Sequence, residues 1–157
     1  MVRSPIHRNE ALVLFLTIAS ILFWLYVAGV SVYNFGLFKS EMANQVFPKV
    51  ISNLLAYFLP TLEILTAFLL AFSTTRLLGM ALSLLMISAF TLYVGLALLR
   101  IYENVPCTCA GLLKHGNSWG TNFLLNLLIT AVALIGFILT YKQRKEVDKR
   151  YGFHIQN

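Results

Sequence analysis

Four long runs of mostly apolar residues, at positions 11–33, 50–72, 77–99 and 121–141, alternate with short stretches that hold nearly all of the charge. At a rise of about 1.5 Å per residue, each run can cross a hydrocarbon slab about 30 Å thick. A helix on the surface of a soluble protein keeps a polar face, whereas these runs are apolar all round. The pattern predicts an all-α, polytopic membrane protein built as a four-helix transmembrane bundle. The first run is longer than the apolar core of a signal peptide, which spans about 7–15 residues, and no small-x-small cleavage site follows a short core. It is therefore read as a retained helix.

The connections predict how the helices assemble. Only a few residues around Ser73–Arg76 separate the second and third runs, so these two form an antiparallel pair, and the whole chain, 1–157, reads as one transmembrane domain with a basic tail at 142–157. Between the first two runs, Phe35, Phe38, Met42, Val46 and Phe47 are spaced for a short amphipathic helix at the membrane interface. Gly79, Ser83, Ser88 and Gly95 in the third run are small enough to let helices approach closely. No internal repeat, dinucleotide-binding glycine fingerprint or phosphate loop stands out.

Composition supports the membrane reading, with 59% apolar and 11% charged residues against about 45–50% and about 25% in soluble domains. The distribution of cations adds an orientation. Arg3, Arg8, Arg76, Lys142, Arg144, Lys145, Lys149 and Arg150 lie in the termini and the Ser73–Arg76 turn, against Lys39, Lys49, Arg100 and Lys114 in the other two loops. The positive-inside rule then predicts both termini in the cytoplasm and the longer loops outside. The net charge of +6 is explained by a tail lying against anionic lipid, so no nucleic-acid partner is expected.

The segment most suggestive of chemistry is Val105-Pro106-Cys107-Thr108-Cys109-Ala110-Gly111, which holds the chain's only two cysteines. The predicted topology puts them outside the cytoplasm, where disulfides persist. A Cys-x-Cys disulfide closes a very small ring and so suits exchange better than stapling. A structural disulfide and a pair of inert thiols are the alternatives. His115, six residues after Cys109, can deprotonate an attacking thiol or act simply as a solvated loop residue. The two thiols and His115 lack a fourth protein ligand and match no strong zinc spacing, so no metal is expected.

Glu63 lies near the middle of the second run, three residues after Pro60. Facing lipid would be costly, so it should turn inward, and Pro60 can free a backbone carbonyl beside it. Glu63 then serves either as a proton-exchange or head-group-binding residue, or as a protonated link between helices. Asn122 and Asn126 share a face of the fourth run and can bond to Glu63, to the third helix, or to the carbonyl of a quinone. Trp119 fits an outer-interface anchor. Arg76 and Arg100 fit residues that snorkel at opposite membrane faces, and Arg100, just before the cysteine segment, is the better pocket member.

These residues carry a resemblance. Gly36-Leu37-Phe38-Lys39, Leu59-Pro60-Thr61-Leu62-Glu63, Pro106-Cys107-Thr108-Cys109-Ala110-Gly111, Ser118-Trp119 and Asn126 follow in an order that resembles the MauE branch of the DoxX-like membrane proteins, small four-helix proteins of bacteria. The resemblance spans roughly residues 10–140. It implies a place in the bacterial inner membrane and an association with redox chemistry: the MauE branch with maturation of disulfide-containing extracytoplasmic enzymes, other DoxX-like proteins with quinone reduction. It supports Cys107 and Cys109 as an exchangeable pair, and Glu63 and Asn126 as polar groups inside the bundle. The expected function is thiol–disulfide exchange with an extracytoplasmic protein, a membrane quinone being the second redox partner. The alternative is a non-catalytic subunit that anchors or assembles a larger envelope complex.

Overall fold

A computed structural model of the chain describes residues 5–45, 48–99 and 119–154. Among these, five helices follow in order: α1 (Pro5–Tyr33), α2 (Phe35–Ala43), α3 (Lys49–Ala71), α4 (Arg76–Leu98) and α5 (Trp119–His154). The four long ones contain spans apolar and long enough to cross a membrane: Glu10–Tyr33, Lys49–Ala71, Arg76–Leu96 and Phe123–Glu146. The protein is thus all-α and polytopic. The basic stretch after Tyr141 continues α5 as helix up to His154.

The helix ends follow from local chemistry. Pro5 opens α1, where its missing N–H costs nothing. Pro48 precedes α3 in an extended conformation (φ −53°, ψ 143°) that directs the chain into the helix. At the other end of α3, Phe72 is extended, and the Thr75 hydroxyl donates to the Leu69 carbonyl at 2.9 Å. That bond satisfies a carbonyl the helix end would otherwise leave open. Pro60 lies inside α3 and removes the N–H that would have bonded four residues back.

The long helices pack in a cycle, with α1 against α3 and α5, and α4 against α3 and α5. Between the described residues of α3 and α5, which lie across one diagonal, there is no close backbone approach. Trp24, Ala67, Leu70, Met80 and Met86 form the central apolar cluster. Gly79 explains how α4 comes so close to α3: a Cβ there would lie 2.8 Å from the Leu70 backbone nitrogen. Gly95 makes similar room for the ring of Phe123. Ser88, by contrast, is exposed on α4 and takes no part in this packing. Large apolar side chains such as Phe15, Leu54, Leu85 and Leu124 cover the outer surface, where hydrocarbon, rather than water, is the compatible solvent.

The short amphipathic helix is α2, and it docks instead of lying free. Phe38 and Met42 are buried with Ala56, with Phe35 and Leu59 packed around them. The Lys39 ammonium lies 5.4 Å from the centre of the Tyr57 ring and 3.4 Å from its hydroxyl. Just beyond α2, Gln45 is buried, and its side-chain carbonyl accepts a hydrogen bond from the Tyr93 hydroxyl of α4. Val46 and Phe47 lie outside the described residues.

Candidate functional site

The buried face of α3 is Ser52, Ala56, Pro60, Glu63, Thr66, Ala67 and Leu70, a stripe of mostly small residues around one carboxyl group. This spacing follows from 3.6 residues per turn. It turns Glu63 into the bundle, as its polarity demands, and leaves it 2% exposed. Its Oε2 is buried without a hydrogen-bond partner among the described residues. A buried polar atom in that condition is uncommon in folded proteins and marks a place where a proton, a water or a ligand group can add a bond.

A second set of polar groups lies between α4 and α5. Asn126 is also 2% exposed. Its backbone carbonyl accepts the Thr130 hydroxyl at 2.8 Å and lies 3.4 Å from the Thr91 hydroxyl, and the two hydroxyls are 2.8 Å apart. With one proton on each, a chain from Thr91 to Thr130 to the Asn126 carbonyl uses both. The Ile87 carbonyl, 2.7 Å from Thr91, is the competing acceptor. The register of the helices fixes the depth of the two sets. Thr66 of α3 reaches the sulfur of Met86 of α4 at 3.6 Å. Going away from the α3–α4 turn, Glu63 is three residues from Thr66, about 4.5 Å, and Thr91 is five from Met86, about 7.5 Å. Glu63 and the Thr91–Thr130–Asn126 group therefore occupy nearly one level of the bundle, with Thr91 on the helix beside α3 and Asn126 and Thr130 on the helix diagonal to it.

This arrangement narrows the partners open to Asn126. Asn126 does not satisfy the Glu63 Oε2 atom; α3 and α5 are diagonal, so their side chains share an interior level without the close approach of neighbouring helices. Thr91, Thr130 and Gln45 were not singled out by the sequence, because hydroxyls are common in membrane helices and usually bond back within their own helix, as Thr17, Thr66 and Thr140 also do. Only the contact between α4 and α5 makes Thr91 and Thr130 a pair.

Of the other candidate residues, Trp119 opens α5 and Asn122 lies in its first turn. Arg100, Cys107, Cys109 and His115 lie outside the described residues. Among the described residues, no group of three His, Cys, Asp or Glu could hold a metal ion.

A protein-family model described as methylamine utilisation protein MauE matches residues 9–139. The matched stretch runs from α1 into α5 and includes Glu63, Cys107, Cys109 and Asn126. No curated protein and no solved structure matches the chain.

Proposed function

The chain belongs to the MauE family, and on that premise we propose that it is a membrane thiol–disulfide redox protein, working through Cys107 and Cys109 with a membrane quinone as second partner. Both termini face the cytoplasm of a bacterium, and the cysteine segment faces the periplasm, the arrangement favoured by the distribution of basic residues. The membrane half of the reading rests on one observation: the buried Glu63 carboxyl has an oxygen with no partner among the described residues, at nearly the level of Asn126.

A thiolate of the extracytoplasmic partner attacks one sulfur of the Cys107–Cys109 disulfide and forms a mixed disulfide. The partner's second thiolate then attacks its own bridged sulfur and releases the partner as a disulfide. Two electrons and two protons have then moved from the partner's dithiol to Cys107 and Cys109. Cys107 is the first candidate for the exchanging thiol, since Pro106 holds the chain just before it, and His115 is the candidate base.

The interior residues suit a quinone head group, because a carboxyl oxygen without a partner among the described residues and a buried asparagine lie inside a largely apolar bundle. Glu63 and Asn126 would hold it, with Arg100, Asn122 and Trp119 at the end of the bundle nearer the cysteines. A bound quinone supplies a two-electron, two-proton acceptor that regenerates the disulfide. Glu63 Oε2 is the atom at which a proton is held or passed within the bundle. The reverse flow uses the same residues, and the partners' potentials set the direction.

The test is the reduction potential of the Cys107–Cys109 pair in the purified membrane protein, measured by thiol labelling in defined redox buffers with and without quinone. A potential in the range of exchange catalysts that shifts the redox state when quinone is added supports the proposal and gives the direction. Thiols that never pair within the chain, or a bond reducible only on unfolding, would sink it. The reading as an anchoring or assembly subunit would then stand ahead.

A further inference from the structure

The end of the bundle at the α3–α4 turn carries a polar feature unconnected with thiol chemistry. A cavity of about 380 Å³ opens there between the turn and α5. Ser73 and Thr74 of the turn line it together with Arg76 and Leu77 of α4, and α5 adds Thr140, Gln143 and Arg144. Two of these residues are cationic and none is acidic.

Arg76 is half-buried, and its Nε is buried without a hydrogen-bond partner among the described residues. A guanidinium N–H removed from water with no acceptor is destabilising unless something else supplies one. The walls carry no carboxylate, and none of their hydroxyls nor the Gln143 amide reaches the Arg76 Nε. The start of α4 adds to the positive potential. There the Gly79 N–H donates to the Thr75 carbonyl at 2.9 Å, and the N–H groups of a first helical turn precede the helix's own ladder and favour an anion.

We infer that this cavity binds a phosphate-bearing anion, with Arg76 and Arg144 supplying charge and Ser73, Thr74 and Gln143 supplying neutral hydrogen bonds. The planar guanidinium fork matches phosphate oxygens better than a lysine does. The cavity lies between the last residue of one span, Ala71, and the first of the next, Arg76, which is the depth of lipid head groups. A phospholipid head group and free phosphate offer the same oxygens, and the experiment separates them. The inference is independent of the thiol–disulfide reading.

The full-length protein, delipidated in uncharged detergent, is titrated separately with dioleoyl phosphatidylglycerol, with dioleoylglycerol as the uncharged analogue, and with inorganic phosphate. Thermal stabilisation is read for all three, and bound mass in native mass spectrometry for the lipids. Phosphatidylglycerol binding, with Arg76→Gln and Arg144→Gln each weakening it at least about tenfold and Lys142→Gln leaving it unchanged, is the expected result. Stabilisation by phosphate alone also supports the site and identifies a free anion as its ligand. Equal binding of the two lipids, binding of neither anion, or unchanged binding in Arg144→Gln overturns the inference. Arg144 is exposed, so its variant carries the test even where Arg76→Gln fails to fold.

Discussion

The indole N–H of Trp24 donates to the hydroxyl of Ser83 at 2.8 Å, joining α1 to α4 across the other diagonal of the bundle. Both residues are buried, and Trp24 also belongs to the central apolar cluster. A serine small enough to pass as a packing residue is thus also the acceptor for one of the largest side chains in the core. Where no water is at hand, an indole N–H without such an acceptor is left unsatisfied.

Removing either end of this bond should destabilise the bundle. Ser83→Ala and Trp24→Phe are each expected to lose about 1 kcal/mol or more, with a coupling of about 1 kcal/mol between them in a double-mutant cycle. Unfolding in mixed detergent micelles measures it, and strictly additive losses would show that the bond contributes nothing.

Gly79→Ala should be more harmful than its size suggests. The new Cβ would press on the Leu70 backbone nitrogen, 2.8 Å away, and helix α4 would have to move off α3, at about 1–3 kcal/mol. Gly29→Ala is the control, since nothing lies within 4 Å of a Cβ there. A melting temperature for Gly79→Ala as high as that of the control would contradict the close approach.

Glu63→Gln keeps the volume of the side chain but removes its capacity to hold and release a proton. On the proposed function, quinone-dependent reoxidation of the cysteine pair falls about a hundredfold, while exchange between the pair and an external dithiol continues. Stopped-flow measurement of the two half-reactions separates them. Equal loss in both would assign Glu63 to the architecture of the bundle.

Tyr93→Phe deletes the hydroxyl that α4 gives to the Gln45 side chain. Faster amide exchange is expected in residues 41–45, by about fivefold for a loss near 1 kcal/mol, with α3 unaffected. Hydrogen-exchange mass spectrometry in micelles reads both segments, and unchanged protection at 41–45 would show that this bond does not hold the end of α2.

The class of the protein and the number of its spans were legible in the apolar runs alone, because a run of about twenty such residues has few other stable fates. The sequence also turned Glu63 inward, since a carboxyl in lipid is costly wherever the helix stands, and it placed a short helix where Phe35, Phe38 and Met42 recur. Those conclusions depend on residues within one segment. The partnerships depended on which helices became neighbours: a hydroxyl in a membrane helix bonds within its own turn unless another helix approaches, so Thr91 with Thr130, Trp24 with Ser83 and Tyr93 with Gln45 had no local signal. The same holds for the failure of Asn126 to partner the Glu63 Oε2 atom and for the convergence of Arg76 and Arg144 on one cavity. Packing the four long helices in the cycle α1–α3–α4–α5, with α3 and α5 apart, decided these, because hydrogen bonds act over about 3 Å and only the tertiary arrangement brings groups so distant in sequence within that reach.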